Sequence, residues 1–436
     1  MAVRHTWLAL TRWETSFCRL CFRRSKSSLV KHRWASERKK NPRFLAVQYF
    51  DMCYTPVYKE KWPSIRLGLL SDPKYGAVIN SLAADDSVYK ELLKLGTFEL
   101  FEQIRGSSVD GMNESFLLKP EPVEVYQKPV ESFMASDISI RDERAMSEFI
   151  QPTKFINESM LPIDAAAEMR EMEFLSVKPP IPQATIIPYE VQYPENLKVM
   201  LFPPGDISTF PPSRATADGS LAYYLLDVAS VLPVLALDLK AGETVLDMCA
   251  APGGKTILIL CTLLPGLLAC NDFDPRRFSR LRRTLNFYVP ADSDFRRRIV
   301  LKRKDATDER WDELEQYDKI LVDAPCTSDR VSTEDDMNLF KRSRMEERIG
   351  LPVPGGSLVY STCTLSPVQN DAVIEAVIQQ DDVGSKVAVC DLSSVAWPLQ
   401  QLGIFHFHHC RYGLQVIPSV LSNFGPMYIS KLLKMA

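Results

Sequence analysis

Residues 245–256 read Val-Leu-Asp-Met-Cys-Ala-Ala-Pro-Gly-Gly-Lys-Thr. Thr244 to Leu246 are apolar or β-branched and run into Asp247; small residues then crowd a turn ending at Gly253 and Gly254, and the aliphatic run Ile257–Leu260 follows. That order predicts a strand, a glycine turn and a helix start. In an open α/β sheet such a turn lies at the carboxyl end of a strand, where backbone approaches a ligand closely and the helix N-terminus offers unpaired N–H groups. A nucleotide-like cofactor is the expected occupant.

Two rival readings of the turn fail on spacing. Gly254-Lys255-Thr256 resembles the end of a phosphate-cradling loop, but G-x-x-x-x-G-K-[ST] needs glycine where Cys249 stands, which leaves a nucleotide triphosphatase a distant reading. The dinucleotide pattern G-x-G-x-x-G is also missing.

From 244 onward, β-rich runs at 244–247, 267–271, 299–304, 319–323 and 357–361 alternate with helical or polar stretches. They predict an α/β fold with a doubly wound, mostly parallel sheet. Upstream, residues 44–105 mix aromatics and aliphatics with charges, which predicts a small N-terminal helical domain. Residues 106–200 are Pro-rich, acidic and weakly periodic, which predicts a flexible insert before a main domain at 201–436. The apolar run Leu221–Leu237, interrupted by Asp227 and Pro233, is too short for a membrane span and is expected to be a buried helix; no membrane association is expected.

Charge divides the chain. Twelve of its 52 Lys and Arg, but only two of its 55 Asp and Glu, fall in residues 1–43, so the remainder carries a formal charge of −13. The Arg-rich, acid-poor start reads as a mitochondrial transit peptide, with a basic RNA-binding arm as the alternative. An RNA-binding role for the acidic remainder requires a local basic face. Residues 275–304 provide one, with eleven basic residues against Asp292 and Asp294; Arg280, Arg282, Arg283, Arg296, Arg297, Lys302 and Lys304 are the candidates to grip phosphates.

Asp272 closes the second strand 19 residues after Gly253, where a carboxylate is placed to accept from both ribose hydroxyls. Asp305 follows the third strand. Cys18 and Cys21 form a C-x-x-C with no second pair at zinc spacing, and Phe405-His-Phe-His-His-Cys410 lacks supporting ligands, so it is expected as a polar strand or surface loop and no metal is expected. With no secretory signal, the ten cysteines do not predict disulfides.

Residues 249–255, Cys-Ala-Ala-Pro-Gly-Gly-Lys, together with Asp323-Ala-Pro-Cys326, Tyr360-Ser-Thr-Cys363 and Phe424-Gly-Pro-Met427, resemble in content and order the Sun-domain RNA cytosine-5 methyltransferases. The resemblance covers roughly 44–104 and 201–436. Gly205-Asp-Ile-Ser208, Phe210-Pro-Pro212, Leu232-Pro-Val-Leu235 and Phe340-Lys-Arg-Ser343 look most like the family's mitochondrial ribosomal-RNA branch. The resemblance implies an S-adenosylmethionine-dependent methyltransferase fold. It implies cofactor contacts from Cys249, Gly253, Gly254, Lys255, Asp272, Arg277, Asp305 and Asp323, with Asp305 near the adenine. It further implies a mitochondrial matrix enzyme with a role in ribosome assembly, contacts with the mitochondrial ribosomal small or large subunit, and a helical-repeat partner of the mitochondrial transcription-terminator family.

The chemistry explains why two cysteines are needed. Cytosine C5 is too weak a nucleophile to take a methyl group unaided, so a thiolate adds to C6 and makes C5 enamine-like; a base later removes the C5 proton and the thiolate leaves. The resemblance implies Cys363 as nucleophile, Cys326 in product release and Asp323 on the ring at N3 and N4. DNA cytosine methyltransferases use the cysteine of their Pro-Cys motif, which would make Cys326 the nucleophile; the motif order favours Cys363. The target base must leave its stack, so the RNA is single-stranded or flipped.

Between Cys326 and Cys363 the family carries a long apolar helix that this chain lacks, a difference of roughly four turns. Met337, Phe340, Met345 and Ile349 make a thin apolar face before Pro352 and Pro354. This predicts a sheet less well covered on one side, and a second functional reading: a catalytically weak RNA-binding or ribosome-assembly factor on the same fold.

Overall fold

The computed structural model describes residues 42–83, 85, 87–106, 184–306, 316–332, 355–380 and 383–435. The basic arm up to residue 41, most of the Pro-rich insert and the short connection at 333–354 lie outside the described residues.

The N-terminal region contains helices Pro42–Tyr58, Trp62–Leu70, Ser87–Leu93 and Leu100–Gly106 and two strands, β1 (Gly76–Ile79) and β2 (Phe98–Glu99). Beyond the insert come β3 (Ile186–Pro188), β4 (Val199–Leu201) and β5 (Tyr223–Leu226). An antiparallel sheet runs β2-β4-β1-β5, with Ala77 opposite both Met200 and Leu225. Residues 44–105 are therefore helical and stranded together. Residues 186–188 and 199–201 also depart from the expectation of a flexible insert: all of Val199–Leu201 is buried, and its backbone groups find their partners in β1 and β2.

The run 221–237 divides into β5 and the fully buried helix Val231–Leu237 rather than forming one helix. Asp227 is the reason: its Oδ1 accepts the Ala229 N–H at 2.9 Å, and a carboxylate at that position starts a helix rather than continuing one. Its Oδ2 accepts the Gly425 N–H at 2.8 Å.

The strands that follow among the described residues are β6 (Thr244–Asp247), β7 (Leu267–Asn271), β8 (Ile299–Lys302), β9 (Lys319–Asp323), β10 (Ser357–Thr362), β11 (Val387–Asp391), β12 (His406–His409), β13 (Leu414–Ile417) and β14 (Met427–Lys434). Among the described residues the main sheet runs β12-β13-β14-β10-β9-β6-β7-β8, with β11 and then β3 added beside β14. β8-β7-β6-β9-β10 are parallel, matching the expected doubly wound sheet, and β14 closes it antiparallel to β10.

One face of the sheet packs on helices Val231–Leu237 and Gly254–Cys261, the other on helix Asp371–Ile378 with Tyr317 and Tyr412. Every residue of β10 is buried. Among the parallel strands, exposed apolar side chains fall at edge strand β8, where Val300 is 36% and Leu301 38% exposed, and at Leu267 at the start of its neighbour β7, and not at β9 or β10 beside the shortened connection. No described helix is long and apolar enough to cross a membrane.

Replacing Asp227 with Ala should lower stability by about 1–3 kcal/mol, because it uncaps a helix and orphans the Gly425 N–H. A denaturant midpoint that falls at unchanged slope would bear this out; an unmoved midpoint would refute it.

Candidate active site

The glycine turn is shaped by close approach. Gly253 has φ +114°, and a Cβ there would lie 3.0 Å from Cγ2 of Thr284, so the turn takes only glycine. Thr284 Oγ1 donates to the Pro252 carbonyl at 2.8 Å, and Arg277 donates to that of Ala251 at 2.8 Å, so helix Pro275–Tyr288 braces the turn. Asp247 is fully buried beneath it; Thr256 Oγ1 donates to its Oδ2 at 2.7 Å, while Oδ1 has no partner. Burial pushes the Asp247 carboxyl up to about 7 despite the Thr256 hydrogen bond. Burial likewise pushes the Cys249 thiol well up, which makes it unreactive.

Carboxylates collect at the strand ends around this turn. Asp272 follows β7; its Oδ2 accepts the Ala251 N–H at 3.3 Å and pairs with Arg277 at 3.2 Å. Burial raises its pKa against the pull of Arg277. Asn271 ties the segment after β8 to the turn: its amide donates to the carbonyls of Met248 (3.1 Å) and Lys304 (3.0 Å) and accepts the Lys304 N–H (2.8 Å). Asp305 is the next residue in the chain. Lys255 reaches Asp323 at 2.8 Å; burial alone would discharge it, but the carboxylate more than offsets burial and its pKa is raised. Asp323 also accepts from Ser361 Oγ at 2.9 Å.

The two cysteines meet. Cys326 Sγ and Cys363 Sγ are 3.1 Å apart, well beyond the roughly 2.05 Å of a disulfide, and both are free thiols. Cys363 N–H donates to Cys326 Sγ at 3.3 Å, and Ser328 Oγ lies 3.2 Å from Cys363 Sγ. Ser328 holds a left-handed backbone (φ +52°), which costs energy for a residue with a side chain and turns its hydroxyl between the sulfurs. The contact makes the two thiols unequal. The Cys363 thiol, acting as donor, holds the Cys326 pKa below the ordinary thiol value, whereas that same proton and then burial push Cys363 well above it. Of the two sulfurs, Cys326 is therefore the first to lose its proton as pH rises.

The candidate basic face is only partly free. Arg280, Arg282 and Arg283 are exposed on helix Pro275–Tyr288, and Arg297 is exposed beside Asp294. Arg296 instead bonds the Leu285 carbonyl and Asn286, and Lys302 bonds Tyr317 Oη at 2.9 Å. Lys304 is engaged through its backbone by Asn271. The His406–His409 segment is strand β12, and the described residues contain no group of three or more His, Cys, Asp or Glu placed to hold a metal.

A family model described as 16S rRNA methyltransferase RsmB/F matches residues 234–433. A 5-cytosine rRNA methyltransferase of Caenorhabditis elegans, nsun-4, is 37% identical over 434 residues, covering 91% of this chain and 93% of its own. The chain belongs to the RsmB/F family. Bos taurus NSUN4, named a 5-cytosine rRNA methyltransferase, is 37% identical over 93% of each chain. A mouse protein named tRNA (cytosine(34)-C(5))-methyltransferase, mitochondrial, is 39% identical over 56% of this chain and 72% of its own. As a member of the Sun-domain RsmB/F family, this chain is an S-adenosylmethionine-dependent RNA cytosine-5 methyltransferase. The residues suit that cofactor: carboxylates for hydroxyl and amino donors, an unpaired buried acceptor on Asp247, and a lysine and a helix N-terminus for a carboxylate.

The motif readings located the two cysteines, the turn, Asp272 and Asp323. They missed Asn271, Ser328 and Ser361, whose closest side-chain contacts at the site are distant in sequence. Since Cys363 lowers the Cys326 pKa, Cys363→Ala should move iodoacetamide alkylation of Cys326 to higher pH. Mass spectrometry across a pH series checks this; a profile that stays put or moves down refutes the hydrogen bond between the sulfurs.

Proposed function

We propose that the chain transfers a methyl group to C5 of a cytosine in single-stranded or flipped RNA through a covalent adduct on Cys363. The observation that carries this reading is the 3.1 Å contact between two free thiols beside the Lys255–Asp323 pair at the carboxyl ends of β9 and β10. Asp272 would accept the ribose hydroxyls, Asp305 would lie by the adenine, and Lys255 with the turn at Cys249, Gly253 and Gly254 would hold the amino-acid end. Arg277 braces both turn and ribose carboxylate. Bound S-adenosylmethionine would supply an electrophilic methyl group on a cationic sulfur, which keeps the electron pair of the broken S–CH3 bond and leaves as a neutral thioether.

In this reading Cys326, the more acidic of the two thiols, once ionised takes the Cys363 proton as the base enters. Cys363 Sγ bonds to C6 and the C5–C6 electron pair moves to C5, while N3 takes a proton from solvent, given back on release, and the N3–H and N4–H both donate to the Asp323 carboxylate. C5 takes the methyl group. Cys326, once its proton has passed to solvent, removes the C5 proton; the C5–C6 double bond reforms and the Cys363–C6 bond breaks.

The finer reading is a mitochondrial matrix protein acting on ribosomal RNA, in the small subunit by resemblance, with a part in ribosome assembly and a helical-repeat partner of the transcription-terminator family. Its support is the Arg-rich start and the similarity to proteins named rRNA and mitochondrial methyltransferases.

Cys326→Ala should accumulate a covalent RNA adduct visible on denaturing gels, because loss of Cys326 removes both the release base and the largest cause of the raised Cys363 pKa. Cys363→Ala should give none. The reverse pattern would make Cys326 the nucleophile; no adduct and no methyl transfer from folded, cofactor-binding protein would favour the assembly factor. If Arg280 and Arg283 each contact a phosphate, their double alanine variant should flatten the slope of log affinity against log salt by about 1.4 for single-stranded RNA, measured by filter binding. An unchanged slope would remove this face from the interface.

A further inference from the structure

Asp329 is completely buried three residues beyond Cys326 and receives four hydrogen bonds from three separate stretches of chain. Its Oδ1 accepts from Thr327 Oγ1 at 3.1 Å and Thr364 Oγ1 at 2.9 Å. Its Oδ2 accepts from the Leu365 N–H at 2.7 Å and from Tyr54 Oη at 2.9 Å. Thr327 immediately follows Cys326, and Thr364 immediately follows Cys363. One carboxylate thus grips the neighbour of each sulfur.

The grip is reinforced from the N-terminal helix Pro42–Tyr58. Tyr58 Oη donates to the Leu365 carbonyl at 2.8 Å, so Leu365 is held at both its N–H and its C=O. Phe50, Tyr54, Tyr58 and Trp62 pack around Leu365, which is itself fully buried. Arg330, next in sequence, donates to the carbonyls of Gly68, Ser71 and Gly425, tying the Cys326 loop to the N-terminal region and to the Phe424–Met427 turn. Neither Asp329 nor Tyr54 is placed to touch cytosine: both lie behind the two loops.

We propose that Asp329 and Tyr54 are positioning residues that set the distance between the Cys326 and Cys363 sulfurs. The N-terminal region then acts in catalysis by buttressing the nucleophile loop. A buried carboxylate suits this role, because hydrogen bonds to a charged acceptor are about twice as strong as neutral ones and no water is at hand to replace them. The inference rests on the proposed thiol chemistry, but part of its test does not.

Three readouts on folded full-length protein decide it: S-adenosylmethionine affinity by calorimetry, kcat and KM for methyl transfer to RNA, and the pH profile of Cys326 alkylation by iodoacetamide. Asp329→Asn should lower kcat about 100-fold and Tyr54→Phe about tenfold, each with cofactor affinity within threefold. Both should shift the alkylation profile to higher pH, because parted sulfurs no longer hydrogen-bond. Thr364→Val should behave as Asp329→Asn does, and Thr364→Ser, which keeps the donor, should recover most of that loss. An unmoved alkylation profile in Asp329→Asn that still binds cofactor overturns the proposal. If Asp329→Asn does not fold, equal behaviour of Thr364→Val and Thr364→Ser overturns it instead. Absence of methyl transfer from the wild-type chain would sink the functional reading alone, since the alkylation profile reports sulfur separation without turnover.

Discussion

The parallel register of β9 against β10 is the constraint on which this molecule depends. It sets Ser361 opposite Asp323, and the two strands then release their chains at the same end of the sheet. Ala324 N–H reaches the Ser361 carbonyl at 2.8 Å and Ser361 Oγ reaches Asp323, so the pairing extends just past the strand ends. Cys326 and Cys363 lie three and two residues beyond that matched pair. Slippage by one residue would flip every side chain of β10 to the opposite face and part the sulfurs.

Electrostatics around that point are built from groups that would be unfavourable singly. Lys255 and Asp323 are a mostly buried ion pair, Asp247 is a carboxyl with an unfilled acceptor, and two thiols are hydrogen-bonded. The ion pair and the thiol pair are tolerable because the sheet ends hold a complement within reach of each. Rigid backbone surrounds them: Gly253 admits no Cβ against Thr284, and Asn271 staples two strand ends together. The result is a site whose polar groups are oriented before substrate arrives, which is the condition for electrostatic stabilisation at low reorganisation cost.

The short connection between Cys326 and Cys363 leaves the parallel pairing of the described strands on either side of it intact. β9 and β10 pair in parallel over five residues, and β10 is buried throughout. Among the parallel strands, apolar exposure is instead at β8, an edge strand with a neighbour on one side only, and at Leu267 of β7.

Sequence alone determined the order and limits of the parallel strands, because each is a short β-rich run punctuated by a turn: 244–247, 267–271 and 319–323 are strands as read, and the other two differ by one or two residues at their ends. It also pointed to Asp272, Asp323 and both cysteines, since those residues sit in local motifs at strand ends. Tertiary structure decided the rest. Val199–Leu201 became a strand only because β1 and β2 offer it partners, and the 221–237 run broke at Asp227 because Gly425 and Ala229 both donate to that carboxylate. Arg296 and Lys302 left the basic face because Leu285, Asn286 and Tyr317 lie beside them. Asp329 is an unremarked acid in the linear chain; its four donors come from 54, 327, 364 and 365. Periodicity and motif report what a residue's near neighbours dictate, whereas the pKa of a thiol and the partners of a buried carboxylate depend on atoms close in space but 37 residues apart for the two sulfurs and 275 for Tyr54 and Asp329.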